Sequence, residues 1–482
     1  MLAFAGPLAL YTATLAPGVD FWDIGEMQTV PYVLGIAHPT GFPLFVLGGY
    51  AISHVLPFGT PAWRMSFACA VASATAAYAL YIFVRALCDD ARIACAAALA
   101  FALGDIVWVH AVRADVHDAA LAAIAVTLAA ALRAGTTRTP RALAAAALAF
   151  GCGLATHPIA ALVLPSALVL AWPALATATV TARARTLALA AAPLLAYAYV
   201  PLRSAYVEAH GLDPGVELGL VGSAIYDTGA PATASALGRY LTGADFQASD
   251  AVVRAFSPLG LPHAGAFARE VAYREYGYAM LAFALVGFLY LVATRPRIAV
   301  ALSLVPLGCA AFAANFAAES DVARYALPGL WIVAAGAGVG IWWLAGAIFE
   351  RRSERARSIA AWVLVAAMLP TTGSAARDVA RARVADDARA LGPAIASRTR
   401  DGSLLVATWT YATPLAYEAY VARSLGSRRL ACGWPHDFAG RYDGWHARYK
   451  HVYFVLSKSY DVTAFATPLF AAGTWQLSEL RS

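Results

Sequence analysis

Asp20, Asp23, Glu26 and His38 stand within one short stretch, "DFWDIGEMQTVPYVLGIAHPTGFPLF" (residues 20–45). The three carboxylates are spaced i, i+3, i+6, so a helix over this segment would put them on one face. Two chemistries suit such a face. A carboxylate near a membrane surface makes a general base, because partial desolvation raises its pKa and a nearby arginine or metal lowers it again. Such a base could deprotonate a hydroxyl acceptor. The same cluster could instead hold a divalent cation on hard oxygen ligands, which select Mg, Mn or Ca.

Other polar clusters are candidates for the same work. "HAVRADVHD" (110–118) carries Arg113, Asp115 and His117; "THP" (156–158) carries His157; "PLRSAY" (201–206) carries Arg203; "AESDVARY" (318–325) carries Arg324. Asp115 could join Asp23 as base or as metal ligand. His38, Arg113, His117 and His157 are candidates for binding donor or acceptor, although His157 before Pro158 also reads as a plain helix-end cap. Arg203 and Arg324 could hold a phosphate by bidentate hydrogen bonds or simply snorkel at a membrane interface.

What must position these residues is a set of membrane spans. The 482 residues are 61% hydrophobic and 13% charged, with mean hydropathy +0.62. A span needs about 20 apolar residues, and the bilayer favours helices because backbone polar groups must be satisfied internally. Runs at 1–16, 62–87, 91–108, 117–132, 142–157, 159–176, 186–202, 276–294, 298–316, 326–348 and 359–372 give eleven expected spans. Thirteen arginines fall on one set of alternate loops: Arg85, Arg92, Arg133, Arg138, Arg141, Arg183, Arg185, Arg295, Arg297, Arg351, Arg352, Arg355 and Arg357. The positive-inside rule then puts the N-terminus inside and the C-terminus outside. All the polar clusters above fall on the outer face. No Lys or Arg precedes Arg64, so the first run lacks the basic flank of a signal peptide and is expected to be a retained span.

Cys69, Cys88, Cys95, Cys152 and Cys309 lie in or beside spans and Cys432 stands alone in the tail, which leaves no disulfide framework and no zinc-type spacing. The net charge of +6 is mostly the positive-inside signal. Its arginines are scattered over loops, which excludes a nucleic-acid role. After the last span the chain changes character: "SLLVAT", "RRLACGW", "HVYFVLS" and "WQLSEL" read as strands, and "ARDVARARVADDARALGPAIASR" and "PLAYEAYVARSL" as helices. Alternating helices and strands predict a small α/β layer domain. Trp409, Trp434 and Trp445 could stack on sugars, or form its core. The expected organisation is a multispan domain over 1–372, with a first outer loop at 17–61 and a long one at 203–275, and an extracytoplasmic domain over 373–482.

"FWDIGEMQTVPYVLGIAHPTGFPLF" followed by "PFGTPAWRMSFACAVASA" resembles the signature of a bacterial domain-of-unknown-function family that also holds an animal membrane O-mannosyltransferase, transmembrane protein 260. The pattern is W-D-x-G-E, then H-P-x-G-x-P, then an aromatic-Arg entry to the next span. The resemblance continues through "VRADVHDAAL", "GLATHPIAALVLP", "VPLRSA", "GRYLTGADF" and "ARYALPGLWIV", covering most of residues 15–345. The family usually has Glu-Val-Tyr where this chain has Asp115-Val116-His117, and Pro-Pro-Gly where it has Pro39-Thr40-Gly41.

That family is similar in layout to the C-type glycosyltransferases, in which an acidic residue of the first outer loop is the catalytic base. The resemblance implies an all-α polytopic membrane protein with a small α/β C-terminal domain. It implies an inverting enzyme of the bacterial inner membrane that moves a sugar, such as mannose, from a polyprenyl-phosphate donor to a hydroxyl acceptor on protein or glycan. Asp23 becomes the first candidate base, Glu26 the second, and Mg or Mn a candidate cofactor. A multispan transporter or flippase, or a non-catalytic envelope assembly protein, is the alternative. A transporter would place polar groups near mid-bilayer on broken helices, and the polar clusters read here lie at span ends.

Overall fold

The computed structural model describes residues 1–220, 222–244, 253–254, 257–258, 260–316, 321–349, 354–384 and 387–481. Arg351, Arg352, residues 318–320 and the end of "GRYLTGADF" lie outside the described residues. The protein is a multipass membrane protein, mostly helical, with a small sheet near the C-terminus.

All eleven apolar runs form helices, but they are not alike. Seven helices are long and apolar enough to cross a membrane: Pro61–Cys88, Val116–Thr137, Pro158–Thr177, Val180–Ala209, Gly260–Thr294, Pro296–Asn315 and Val322–Ile348. Two further runs are bent pairs: Ala91–Ala102 with Asp105–Ala111 turns by 71°, and Glu354–Ala366 with Leu369–Arg398 by 42°. Leu2–Thr14 and Pro140–Thr156 are shorter apolar helices. The expected eleven spans are therefore seven, or nine if each bent pair is one span, among the described residues. Hydropathy counts apolar runs; it does not see a break such as Leu103–Gly104.

The chain clusters into two compact units that interleave along the sequence. The first comprises Met1–Leu15, Cys69–Ala196 and Gly243–Ala380. It is a helical bundle in which small residues let backbones approach, as expected where lipid supplies no hydrophobic drive between helices. A Cβ added at Gly287 would collide with the backbone of Gly336 and Gly340, so the Gly260–Thr294 and Leu327–Ile348 helices touch through glycine.

The second unit comprises Ala16–Ala68, Tyr197–Thr242 and Arg381–Ser482. It groups the first loop and part of the long loop with the tail, across the boundary drawn at residue 372. Its sheet has the order β2-β1-β3-β5-β4, built from β1 (Leu404–Ala407), β2 (Arg429–Cys432), β3 (Val452–Ser457), β4 (Ala466–Ala472) and β5 (Trp475–Leu480). β1 pairs in parallel with β2 and β3, while β5 is antiparallel to β3 and β4. Strand alternation divides the core in two. Leu404, Val406, Phe454 and Leu456 pack with Phe438 and Trp445 on one face. Leu405, Ala407, Tyr453 and Val455 pack with Leu391, Ile395, Tyr411 and Leu415 on the other. Trp445 is core, its indole N–H donating to the Leu218 carbonyl at 3.0 Å.

Two expectations need correction here. β4 has no counterpart in the sequence reading: it is an edge strand, largely exposed, with an irregularity between Pro468 and Phe470, so it shows no clean alternation. The long loop at 203–275 is also shorter than expected. The Tyr199–Ala209 helix runs into it and the Gly260–Thr294 helix begins inside it, because polar residues extend both helices past the apolar stretch.

Candidate active site

The helix Trp22–Val33 carries Asp23 in its first turn and Glu26 one turn on, so these two share a face as the spacing requires, while Asp20 stands before the helix. Asp20 turns its Oδ1 back to the Phe21 N–H at 2.8 Å. Gln28, fully buried, pins the approach to the helix: its Oε1 accepts from the Asp20 N–H at 3.1 Å and its Nε2 donates to the Gly18 carbonyl at 3.1 Å. Phe21 meets Tyr411 edge-on at 5.6 Å, which anchors this end of the helix on the sheet domain.

The two carboxylates of that face have different surroundings. Glu26 is fully buried and both its oxygens accept from His38, one from the backbone N–H at 2.7 Å and one from Nδ1 at 2.5 Å. Burial pushes its carboxyl above the usual carboxylate range, and the His38 contacts offset part of that rise. Asp23 is partly exposed, and its Oδ1 accepts from the indole N–H of Trp409 at 2.9 Å. Trp409 also meets the His38 ring edge-on at 6.2 Å. One ligand atom from each of Asp23, Glu26 and His38 lies within 4.8 Å of the others, so the three could converge on a metal ion. Among the described residues Asp115 is not part of that group.

His38 is held by the chain around it. The Tyr199 hydroxyl donates to the Gly35 carbonyl at 2.8 Å, Arg203 Nε to the Leu34 carbonyl at 2.6 Å, and the Tyr240 hydroxyl to the Ala37 carbonyl. Arg203 therefore holds the loop that presents His38, a role its sequence context did not reveal.

The remaining candidates lie in the helical unit. Asp115 caps the Val116–Thr137 helix and is buried. Its Oδ1 accepts from the His117 N–H at 2.9 Å and from His117 Nδ1 at 2.8 Å, and its Oδ2 contacts His110 Nδ1 at 3.0 Å. Burial alone would raise its pKa, but His117 and His110 win and hold it well below the usual range. Arg113 pairs with Asp321 at 2.5 Å. His157 accepts the Ile159 N–H on Nδ1 at 3.0 Å, so it does cap a helix start, and its ring lies 4.5 Å from that of His117. Arg324 is buried beside Tyr325.

Sequence reasoning missed two features. Trp409 is 386 positions from Asp23, and only its indole N–H marks it as a partner for a carboxylate. Asp105 and Glu275 are buried at the Leu103–Gly104 break, where Glu275 accepts the Ile106 N–H at 2.6 Å and Asp105 pairs with Arg274 at 2.7 Å. Gly277, with φ 63°, kinks the facing helix. Polar groups thus do reach a broken helix, against the expectation that they lie only at span ends.

The W-D-x-G-E face, the His38 that answers it, and the helices that follow are the features against which known families can be compared. Residues 23–179 match the model of the protein O-mannosyl-transferase TMEM260 N-terminal domain. The chain is 30% identical to the mouse protein O-mannosyl-transferase TMEM260 over 171 residues, 35% of this chain and 24% of the relative. It is 29% identical to the Dictyostelium discoideum protein over 120 residues, 24% of this chain and 15% of the relative. It spans less than a quarter of the length of these TMEM260 relatives. Among solved structures it is similar to ArnT from Cupriavidus metallidurans in the apo state, with TM-score 0.56 and 12% identity over 99% of this chain and 97% of ArnT. A second ArnT structure, bound to undecaprenyl phosphate, gives TM-score 0.54 at 14% identity, again over 99% and 97%. The Archaeoglobus fulgidus oligosaccharyltransferase with Zn and sulfate gives 0.52 at 14% identity, over 94% of this chain and 68% of that one. At such identities the likeness is one of fold, and it supports the C-type glycosyltransferase architecture.

Proposed function

We propose that the chain is a membrane glycosyltransferase that moves a sugar, in the TMEM260 manner a mannose, from a polyprenyl-phosphate donor to a hydroxyl acceptor on the extracytoplasmic face of the inner membrane. The observation that carries this reading is Asp23: the partly exposed carboxylate of the TMEM260-type motif, oriented by Trp409 and set beside the buried Glu26–His38 pair. Asp23 takes the acceptor proton as its oxygen attacks the anomeric carbon, and the polyprenyl phosphate leaves with the bonding pair. Attack opposite the leaving phosphate gives inversion. Glu26 fixes His38 and does not itself take the proton, since both its oxygens are already engaged. Arg324 is the better placed arginine for the donor phosphate, because Arg203 is committed to the Leu34 carbonyl.

A divalent ion, if bound, would sit on Asp23, Glu26 and His38 and polarise the acceptor oxygen. Two carboxylates and an imidazole suit Mn or Zn better than Mg. The fit requires the Glu26–His38 hydrogen bond to open, since that nitrogen and oxygen now face each other.

The test is to give purified protein a panel of labelled polyprenyl-phosphate sugars with peptide and glycan acceptors. Transfer that disappears in Asp23→Asn supports the reading; transfer that persists in it removes the base. The break at Leu103–Gly104 with buried Glu275 favours the transporter as the second reading. Movement of a labelled lipid-linked sugar across vesicles without any transfer would select it.

A further inference from the structure

A narrow niche in the sheet-containing unit lies beside the helix that carries Asp23. One face of the Trp409–Tyr420 helix lines it with Trp409, Ala412, Thr413, Ala416 and Tyr420. The opposite wall is β2, through Leu430 and Cys432, and a turn at residues 223–225 closes it. Small side chains on the helix face make the hollow: a leucine in place of Ala412 or Ala416 would fill it.

Three contacts tie the niche to the candidate site. Trp409 bonds Asp23 through its indole N–H. Thr413 packs against Gly25, between Asp23 and Glu26, so closely that a Cβ at Gly25 would meet its Oγ1 at 3.0 Å. Cys432 lies near enough to feel the Glu26 charge.

Thr413 is the informative residue. Its side chain is fully buried and its hydroxyl has no hydrogen-bond partner among the described residues. Threonines elsewhere on helices of this chain do not behave so: Thr29, Thr75 and Thr127 each return the hydroxyl to the carbonyl four residues back, at 2.7 to 2.8 Å. A buried hydroxyl left unmade is costly, and such groups call for a partner that is absent from the protein itself. The lining carries no Lys, Arg, His, Asp or Glu, which disfavours phosphate or a cation as occupant. Alanines, Leu430 and Ile225 suit a short aliphatic stem, and Thr413 offers it one hydrogen bond.

We propose that this niche is an acceptor subsite that receives a hydroxyl amino-acid side chain of a protein, with Thr413 bonding its oxygen beside Asp23. A glycan acceptor, rich in hydroxyls, would find too few polar partners here. The proposal rests on the glycosyltransferase reading and adds the acceptor class to it.

The experiment uses the full chain with labelled polyprenyl-phosphate mannose and matched peptides bearing serine, threonine or alanine. Thr413→Val keeps the shape and removes the hydroxyl. It should raise the KM for the hydroxyl peptide about tenfold, as for loss of a neutral hydrogen bond, with donor KM unchanged; Thr413→Ser should restore it. Ala416→Leu should weaken peptide binding further. Binding of the same peptides to Asp23→Asn protein gives a readout that needs no turnover, and there too Thr413→Val should weaken the hydroxyl peptides and not the alanine peptide. Unchanged peptide KM and affinity in both Thr413→Val and Ala416→Leu would overturn the subsite, leaving the niche to a buried water. Transfer to glycans and not to peptides would also overturn it. Transfer surviving in Asp23→Asn would instead sink the glycosyltransferase mechanism, a separate failure.

Discussion

Asp23 and Asp115 are both aspartates at the start of a helix, both read from sequence as candidate catalytic groups, and their surroundings differ in kind. Asp23 is partly exposed and has a neutral indole N–H on one oxygen. Asp115 is buried, with His117 on one oxygen, His110 on the other and Arg113 Nη2 at 3.8 Å. A carboxylate gripped by cationic or potentially cationic partners is a poor base, because they stabilise its ionised form. A carboxylate with one weak donor and some exposure keeps its basicity. The comparison assigns chemistry to Asp23 and architecture to Asp115.

If that contrast is right, the largest effect on stability belongs to Asp115. Asp115→Ala leaves His110, His117 and Arg113 buried without their counter-charge, which should cost about 3–5 kcal/mol. Thermal unfolding in detergent would show it, and a variant as stable as the parent would mean that Asp115 is not a hub. Glu26→Gln comes next. The amide can accept from only one His38 donor and turns an N–H toward the other, a loss of about 1–3 kcal/mol, visible as a lowered Tm; an unchanged Tm would return Glu26 to the list of candidate bases.

Trp409→Phe keeps the ring and removes the N–H that orients Asp23, so kcat should fall about tenfold while the fold is retained. Equal kcat would mean that the indole is packing alone. The smallest effect belongs to Asp227, whose pKa burial raises to about 6 from an ordinary 3.8. The folded state then binds more protons than the unfolded one between those values, so stability falls as pH rises through the window. Asp227→Asn should gain stability at pH 7, by less than about 1 kcal/mol given the partial exposure, and the gain should vanish below pH 3.8. A gain that grows on acidification would reverse the sign and refute the assignment.

The helices were legible because apolar runs and their flanks are local properties. Each apolar run is a helix, and four of the five strands came from short buried runs bounded by turn residues. The Asp23 and Glu26 face followed from three-residue spacing alone. The partners did not: Glu26 finds His38 twelve positions on and Asp23 finds Trp409 in the tail. Nothing in "ATWTYATP" distinguishes Trp409 from a core tryptophan such as Trp445, because the difference lies in which group the N–H meets. Asp105 and Glu275 stayed hidden for a related reason: their link joins residues 169 apart in sequence at a break that hydropathy averages over.

The central claim is that Asp23 alone among these carboxylates takes the acceptor proton. Its most direct test is the single-turnover rate of sugar transfer from labelled polyprenyl-phosphate mannose, measured for Asp23→Asn and Asp115→Asn on protein shown to be folded and to bind donor. The account predicts that Asp23→Asn loses roughly 10²–10⁴ in rate with donor affinity intact, while folded Asp115→Asn keeps most of its rate. The opposite pattern, near-normal transfer in Asp23→Asn and loss in folded Asp115→Asn, would contradict it.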